Sequence, residues 1–163
     1  MLRDDYMLRL AEQVGSAIAA GLAEGGPGPT TGASDDLAAL CRRHVGIDLA
    51  IVLGLSSAGL REVLGQSGPA SVPKSAALAE ILLAQGRLAE ARGDRAVVVP
   101  CHVHPFHLLR TCGPAVRAAD AAAHEAKVTA TVDRLRELGL SSYVAQETAR
   151  CPDATGPSGP LPR

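Results

Sequence analysis

Apolar residues in this chain recur every three to four positions, in stretches bounded by glycine and proline, and that period commits most of it to helix. In the opening MLRDDYMLRLAEQVGSAIAAGL, Met7, Leu10, Val14, Ile18 and Leu22 form one stripe, with Arg3, Arg9, Glu12, Gln13 and Ser16 elsewhere on the cylinder. Asp4 and Asp5 stand where a helix start favours side-chain acceptors and negative charge. The spacing predicts a helix over 4–22. Gly25-Gly26-Pro27-Gly28-Pro29 then reads as flexible, and a linker is expected over 23–33.

Ser34-Asp35-Asp36 restarts a helix that places Leu37, Leu40 and Cys41 on one face and closes at Gly46. The apolar run Ile47 to Leu53 is too short for its period to decide. A short buried helix is preferred over a strand, because Asp48 can cap it and Gly54 can stop it. Ser56 or Ser57 caps the next helix, which carries Leu60, Val63 and Leu64. A long helix is expected from Ser75 to Arg92, with Leu78, Ile81, Leu82, Leu88 and Ala89 on one face and Gly93-Asp94 as its stop. The pattern then changes. Ala96-Val97-Val98-Val99-Pro100 reads as a strand or extended segment, within an irregular insert over 95–112. Pro114 suits the first turn of a further helix, whose buried face is Val128, Val132, Leu135 and Leu138 and whose stop is Gly139. Ser141 or Ser142 caps a last short helix to about Ala149, and 151–163 read as a disordered tail. The expectation is a single helical domain over 1–150. It is all-α, built from short helical hairpins, with one irregular or extended segment near 96–107.

Composition narrows the function classes. With two Tyr, one Phe and no Trp among 163 residues, the core must be built from Leu, Ile, Val and Ala. The formal net charge is −1 and both signs are interspersed, so no basic stripe or stacking platform points to nucleic acid. No run of about 18 apolar residues suggests a membrane span. Asp4, Asp5 and Glu12 interrupt the N-terminus, which therefore does not read as a signal peptide. A cytoplasmic setting is expected, with Cys41, Cys101, Cys112 and Cys151 as reduced thiols.

The stretch RDDYMLRLAEQVGSAIA, with its Asp-Asp-Tyr-x-x-Arg start from Asp4 to Arg9, resembles an uncharacterised bacterial family of small helical proteins that carries a domain-of-unknown-function label. IDLAIVLGLSSAGLREVLG and ALAEILLAQGRLAEARGD are similar to the second and third blocks of that family, and VDRLRELGLSSYVAQ to a later hairpin. The resemblance covers about 2–95 and, more weakly, 128–146; the segment after Arg95 departs from it. It implies a tetratricopeptide-like helical fold and no particular activity.

The sharpest chemical constellation is Cys101, His102, His104, His107 and Cys112. On an extended strand His102 and His104 would share a face, and zinc accepts both imidazole nitrogen and thiolate. The likeness of VVVPCHVHPF to the His-x-His strand of metal-dependent amidohydrolases fails on length, since an eight-stranded barrel needs about 250 residues. Cys101 beside His102, and Cys41 near His44, are candidate nucleophile pairs, but a helical Cys at an apolar position is ordinarily a small core residue. Asp35-Asp36 read as helix-start caps, and Glu90, near Asp94, as facing solvent. No glycine cluster has the spacing of a phosphate loop. The leading expectation is therefore a non-enzymatic interaction or scaffold protein without a cofactor, binding a protein partner or a second copy through helical faces. The groove between Leu78–Ala91 and Val128–Leu138 is the expected contact surface, with Leu78, Leu82, Val132 and Leu135 as its residues. The alternative is a small zinc protein using Cys101, His102, His104 and His107.

Overall fold

A computed structural model describes Arg9 and residues 30–65, 71–113 and 120–150. The helix expected over 4–22 lies outside the described residues except for Arg9, which is helical, and so do most of the 23–33 linker and the 151–163 tail. Among the described residues the fold is all-α, with no strand, and no helix is long and apolar enough to cross a membrane.

Helix α1 (Thr30–Leu40) begins inside the expected linker and runs into a π-helical turn, Cys41–Val45. Gly46 ends that turn at φ 85°, a conformation that favours glycine, and its N–H donates to the Cys41 carbonyl. Asp35 and Asp36 therefore lie within α1 and are not its caps. Helices α2 (Leu49–Gly54) and α3 (Ser57–Val63) start as their sequences predict. The Asp48 carboxylate accepts from Ala50 N, and Ser56 Oγ accepts from Gly59 N. Helix α4 (Ser71–Arg92) begins four residues before the expected Ser75.

The segment expected to be a strand or irregular insert is helical. Asp94 caps α5 (Arg95–Val98) by accepting from Val97 N, and α6 (Pro100–Cys112) follows directly. Pro100 at the first turn gives up an N–H that no helix would use. The valine run favours a strand only weakly, and packing overrides it. Val98, Cys101, Pro105, Leu108 and Cys112 fall at steps of three and four and are all buried. Helices α7 (Ala121–Glu137) and α8 (Ser141–Arg150) complete the described fold, joined through Gly139 at φ 84°.

Helix α6 is central. It runs antiparallel to α4: Cys112 Sγ approaches the Val72 carbonyl at 3.7 Å, while His102, at the other end, lies against Gly86. Helix α7 flanks α6 and runs parallel to α4, pairing Lys127 with Glu80 and Arg134 with Glu90. Helix α8 returns alongside α6, bringing Tyr143 to His107 and Glu147 to Arg110. The larger core joins α1–α4 and α6 through residues such as Leu37, Val52, Leu60, Leu82 and Leu108. A second, smaller core is Phe106, Leu135 and Val144, from α6, α7 and α8.

Candidate functional site

The chemistry-bearing residues singled out in the sequence sit on α6, and the helix separates them. Successive residues turn by about 100°, so His102 and His104 project to different sides instead of sharing a strand face. The premise of the zinc arrangement is thereby overturned. Among the described residues no three His, Cys, Asp or Glu side chains are grouped to hold a metal ion, and none of Cys101, His102, His104, His107 or Cys112 is assigned as a ligand.

His102 is buried toward α4. Its Nδ1 lies 2.9 Å from the Val98 carbonyl, an arrangement in which the ring N–H donates and the carbonyl accepts. Its Nε2 lies 3.5 Å from Glu90 Oε1, and the same oxygen accepts from Arg134 Nε at 2.8 Å. Glu90 thus points inward, contrary to its expected solvent position, and ties α4, α6 and α7 together. Gly86 makes room for this cluster. A Cβ there would stand 2.9 Å from His102 Cε1 and 3.2 Å from Cys101 Cβ.

His104 faces the other way. It is 3% exposed, and among the described residues neither ring nitrogen has a hydrogen-bond partner of ordinary geometry. Burial holds its pKa below the usual 6.5, and a charge on His107 would lower it further. The Val52 carbonyl of α2 pulls in the opposite direction without making a hydrogen bond of ordinary geometry. One turn on, His107 Nε2 is 2.6 Å from the Tyr143 hydroxyl. Burial lowers the His107 pKa; Glu147 opposes that shift, while Arg61 and Arg110 reinforce it. Burial and Glu147 raise the Tyr143 pKa, against a hydrogen bond from Ser57 and the charge of Arg150. With the imidazole neutral and its proton on Nδ1, the phenol donates and Nε2 accepts. Arg110 lies over the Phe106 ring, 5.3 Å from its centroid.

The thiols are poor nucleophiles. Cys41, Cys101 and Cys112 are free and buried. Burial pushes the first to about 11, the second to about 12 and the third to about 11, so each stays protonated near neutral pH.

The expected contact residues are core residues. Leu78, Leu82 and Leu135 are fully buried, and Val132 packs against the second core. They fill the space between helices, with Val132 only partly covered. The groove between α4 and α7 is also spanned by the Lys127–Glu80 and Arg134–Glu90 pairs, at 2.6 and 2.8 Å. The exposed large apolar side chains among the described residues are Ile51 on α2 and Val63 on α3. Sequence reasoning passed over Gly86, Arg134 and Tyr143 and read Ser57 only as a candidate cap, because their roles depend on which helix lies opposite. A glycine in the middle of the long Leu/Ala helix was the one signal available, since it marks a close helix crossing.

No protein-family model matches the chain, and no curated protein or solved structure matches it either.

Proposed function

We propose that the protein works without catalysis, as a helical interaction or scaffold protein of the bacterial cytoplasm, and that α2 and α3 carry its contact surface. The observation that supports this reading is the exposure of Ile51 (58%) and Val63 (53%) on two consecutive short helices, while Leu37, Val52, Leu60 and Leu82 beside them in the chain's fold are buried. The protonated, buried thiols and the histidines enclosed around α6 favour a structural over a catalytic use of those residues. The antiparallel pairs α4–α6 and α7–α8 suit the tetratricopeptide-like packing that the resemblance implies.

The occupant we infer is the apolar stripe Met7, Leu10, Val14, Ile18 and Leu22 of a second copy, which carries the helix-spaced anchors that an apolar helical face accepts. Sedimentation equilibrium of the full chain tests this. A dimer is expected, weakened at least tenfold both by Ile51→Glu with Val63→Glu and by Leu10→Glu with Val14→Glu, at unchanged circular dichroism. A chain that stays monomeric up to about 100 μM, or a dimer indifferent to both pairs, overturns it.

A further inference from the structure

We propose that α6 is a proton-operated seam: proton uptake at His104 and His107 releases α2, α3 and α8 from it, while the layer α4–α6–α7 stays closed. The geometry assigns the two sides different fates. His102, on the closed side, has an acceptor at each ring nitrogen, the Val98 carbonyl and the Glu90 carboxylate, and Arg134 holds that carboxylate in place. A second proton on this ring meets an acceptor. His104, on the other side, has no hydrogen-bond partner of ordinary geometry at either nitrogen among the described residues and is 3% exposed. A proton there meets the Val52 carbonyl but is otherwise desolvated, unless the ring reaches water.

The groups around the yielding pair come from three packed elements. From α2, the Val52 carbonyl is the polar neighbour of His104. From α3, Arg61 opposes a charge on His107, and Ser57 engages Tyr143. From α8, Tyr143 bonds His107, and Glu147 favours the charged ring. On α6 itself, Arg110 and the second histidine repel the incoming charge. The charged groups from α4 and α7, Glu90 and Arg134, face His102 instead. Among the described residues, Glu147, itself paired with Arg150, therefore stands against Arg61, Arg110 and a like-charged pair of rings. When the seam opens, His104 reaches water and the mutual repulsion falls.

The sign follows from linkage. Both rings bind a proton less readily in the closed seam than in water, so closure is fully favoured above the usual 6.5 and weakens as pH falls below it toward the lowered values. Opening becomes up to tenfold more favourable per pH unit for each proton taken up in that window, so two rings give at most about a hundredfold. This is a two-state element biased by histidine, with Phe106 and Val144 uncovered when α8 leaves.

Native-state hydrogen exchange on the full chain, expressed as protection factors, tests the proposal. Between pH 6.5 and 5.5, amides of α2, α3 and α8 are expected to lose about fivefold to thirtyfold in protection, with α4 and α7 unchanged. Loss of equal size in every helix, or no loss in α2 and α8, overturns it. His104→Leu is expected to remove about fivefold of the response and His102→Leu to leave it; the reverse pattern overturns the assignment. Should either variant fail to fold, ring-proton NMR of the unaltered chain decides. His104 and His107 must titrate below 6.5 together with signals from α2 and α8, and titration without those signals moving sinks the idea.

Discussion

His102 and His104 stand two residues apart on α6 and meet opposite surroundings. Toward α4, a carbonyl, a carboxylate and a guanidinium converge on one ring, and Gly86 supplies the space. Toward α2, the other ring is equally buried and, among the described residues, has no hydrogen bond of ordinary geometry at either nitrogen. Burial is therefore not what distinguishes them. A ring with acceptors at both nitrogens is a cross-link, whereas a ring without them is an unmet demand for solvation. The same helix carries a firm side and a yielding side, and mutations can be chosen to separate the two.

The largest effect is expected at Phe106, which anchors the smaller core that α8 shares with α6 and α7. Phe106→Ala should cost about 3–5 kcal/mol, read from urea unfolding. Hydrogen exchange should place the excess loss in α8 and α7. Equal loss in α1 would erase the distinction between the two sides. Next comes Gly86→Ala on the firm side. Alanine gains about 1 kcal/mol in helix propensity over glycine, but its methyl would press on the His102 ring and Cys101 Cβ. Overpacking of this kind costs about 1–3 kcal/mol, so a net loss is expected. Pairing it with His102→Ala should recover part of that loss as a coupling above about 0.5 kcal/mol, and strict additivity would argue against the contact.

The firm side also shows what the sequence could carry and what it could not. The caps Asp48 and Ser56 were readable, because a side-chain acceptor before an apolar run needs only its own neighbours. The course of α6 was hidden by its composition. The buried series Val98 of α5 with Cys101, Pro105, Leu108 and Cys112 of α6 keeps helix spacing, yet a proline interrupts it and the valines before it imitate a strand. Once the segment was read as extended, His102 and His104 fell on one face and suggested a metal. Glu90 was unreadable for a different reason. Its inward turn is fixed by Arg134 of α7, and no local pattern reports which helix lies across from it. The contact surface was misplaced on the same account: the stripe with Leu78 and Leu82 was recognised, but a stripe does not say whether a partner or the chain itself covers it.

A pair of matched substitutions gives opposite signs on the two sides. His102→Leu removes the donor to the Val98 carbonyl and the neighbour of Glu90, and should cost about 1–3 kcal/mol at pH 7.5. His104→Leu removes two unpartnered nitrogens at similar volume, and should be neutral or stabilising by up to about 1 kcal/mol. Urea midpoints at unchanged slope report both. Losses of equal size would mean that His104 has a partner after all.

The smallest effect is expected at Arg134, and its smallness is itself informative. Arg134 bonds Glu137 at 2.6 Å as well as Glu90 at 2.8 Å, but Glu137 is 63% exposed on the side chain and Arg134 itself 37%. Water screens most of that attraction, so Arg134→Ala should cost no more than about 1 kcal/mol. The Glu90 contact is the part with structural leverage, because it joins α4 to α7 across α6 beside a buried ring. Adding salt to about 1 M should shrink the difference between Arg134→Ala and the unaltered chain, since the Debye length falls to about 3 Å. The difference should shrink less in a background that already carries His102→Leu, because the carboxylate then has no ring to organise. A cost well above 1 kcal/mol that ignores salt would show that Arg134 acts through packing of its aliphatic stem, and the firmness of that side would then rest on shape and not on charge.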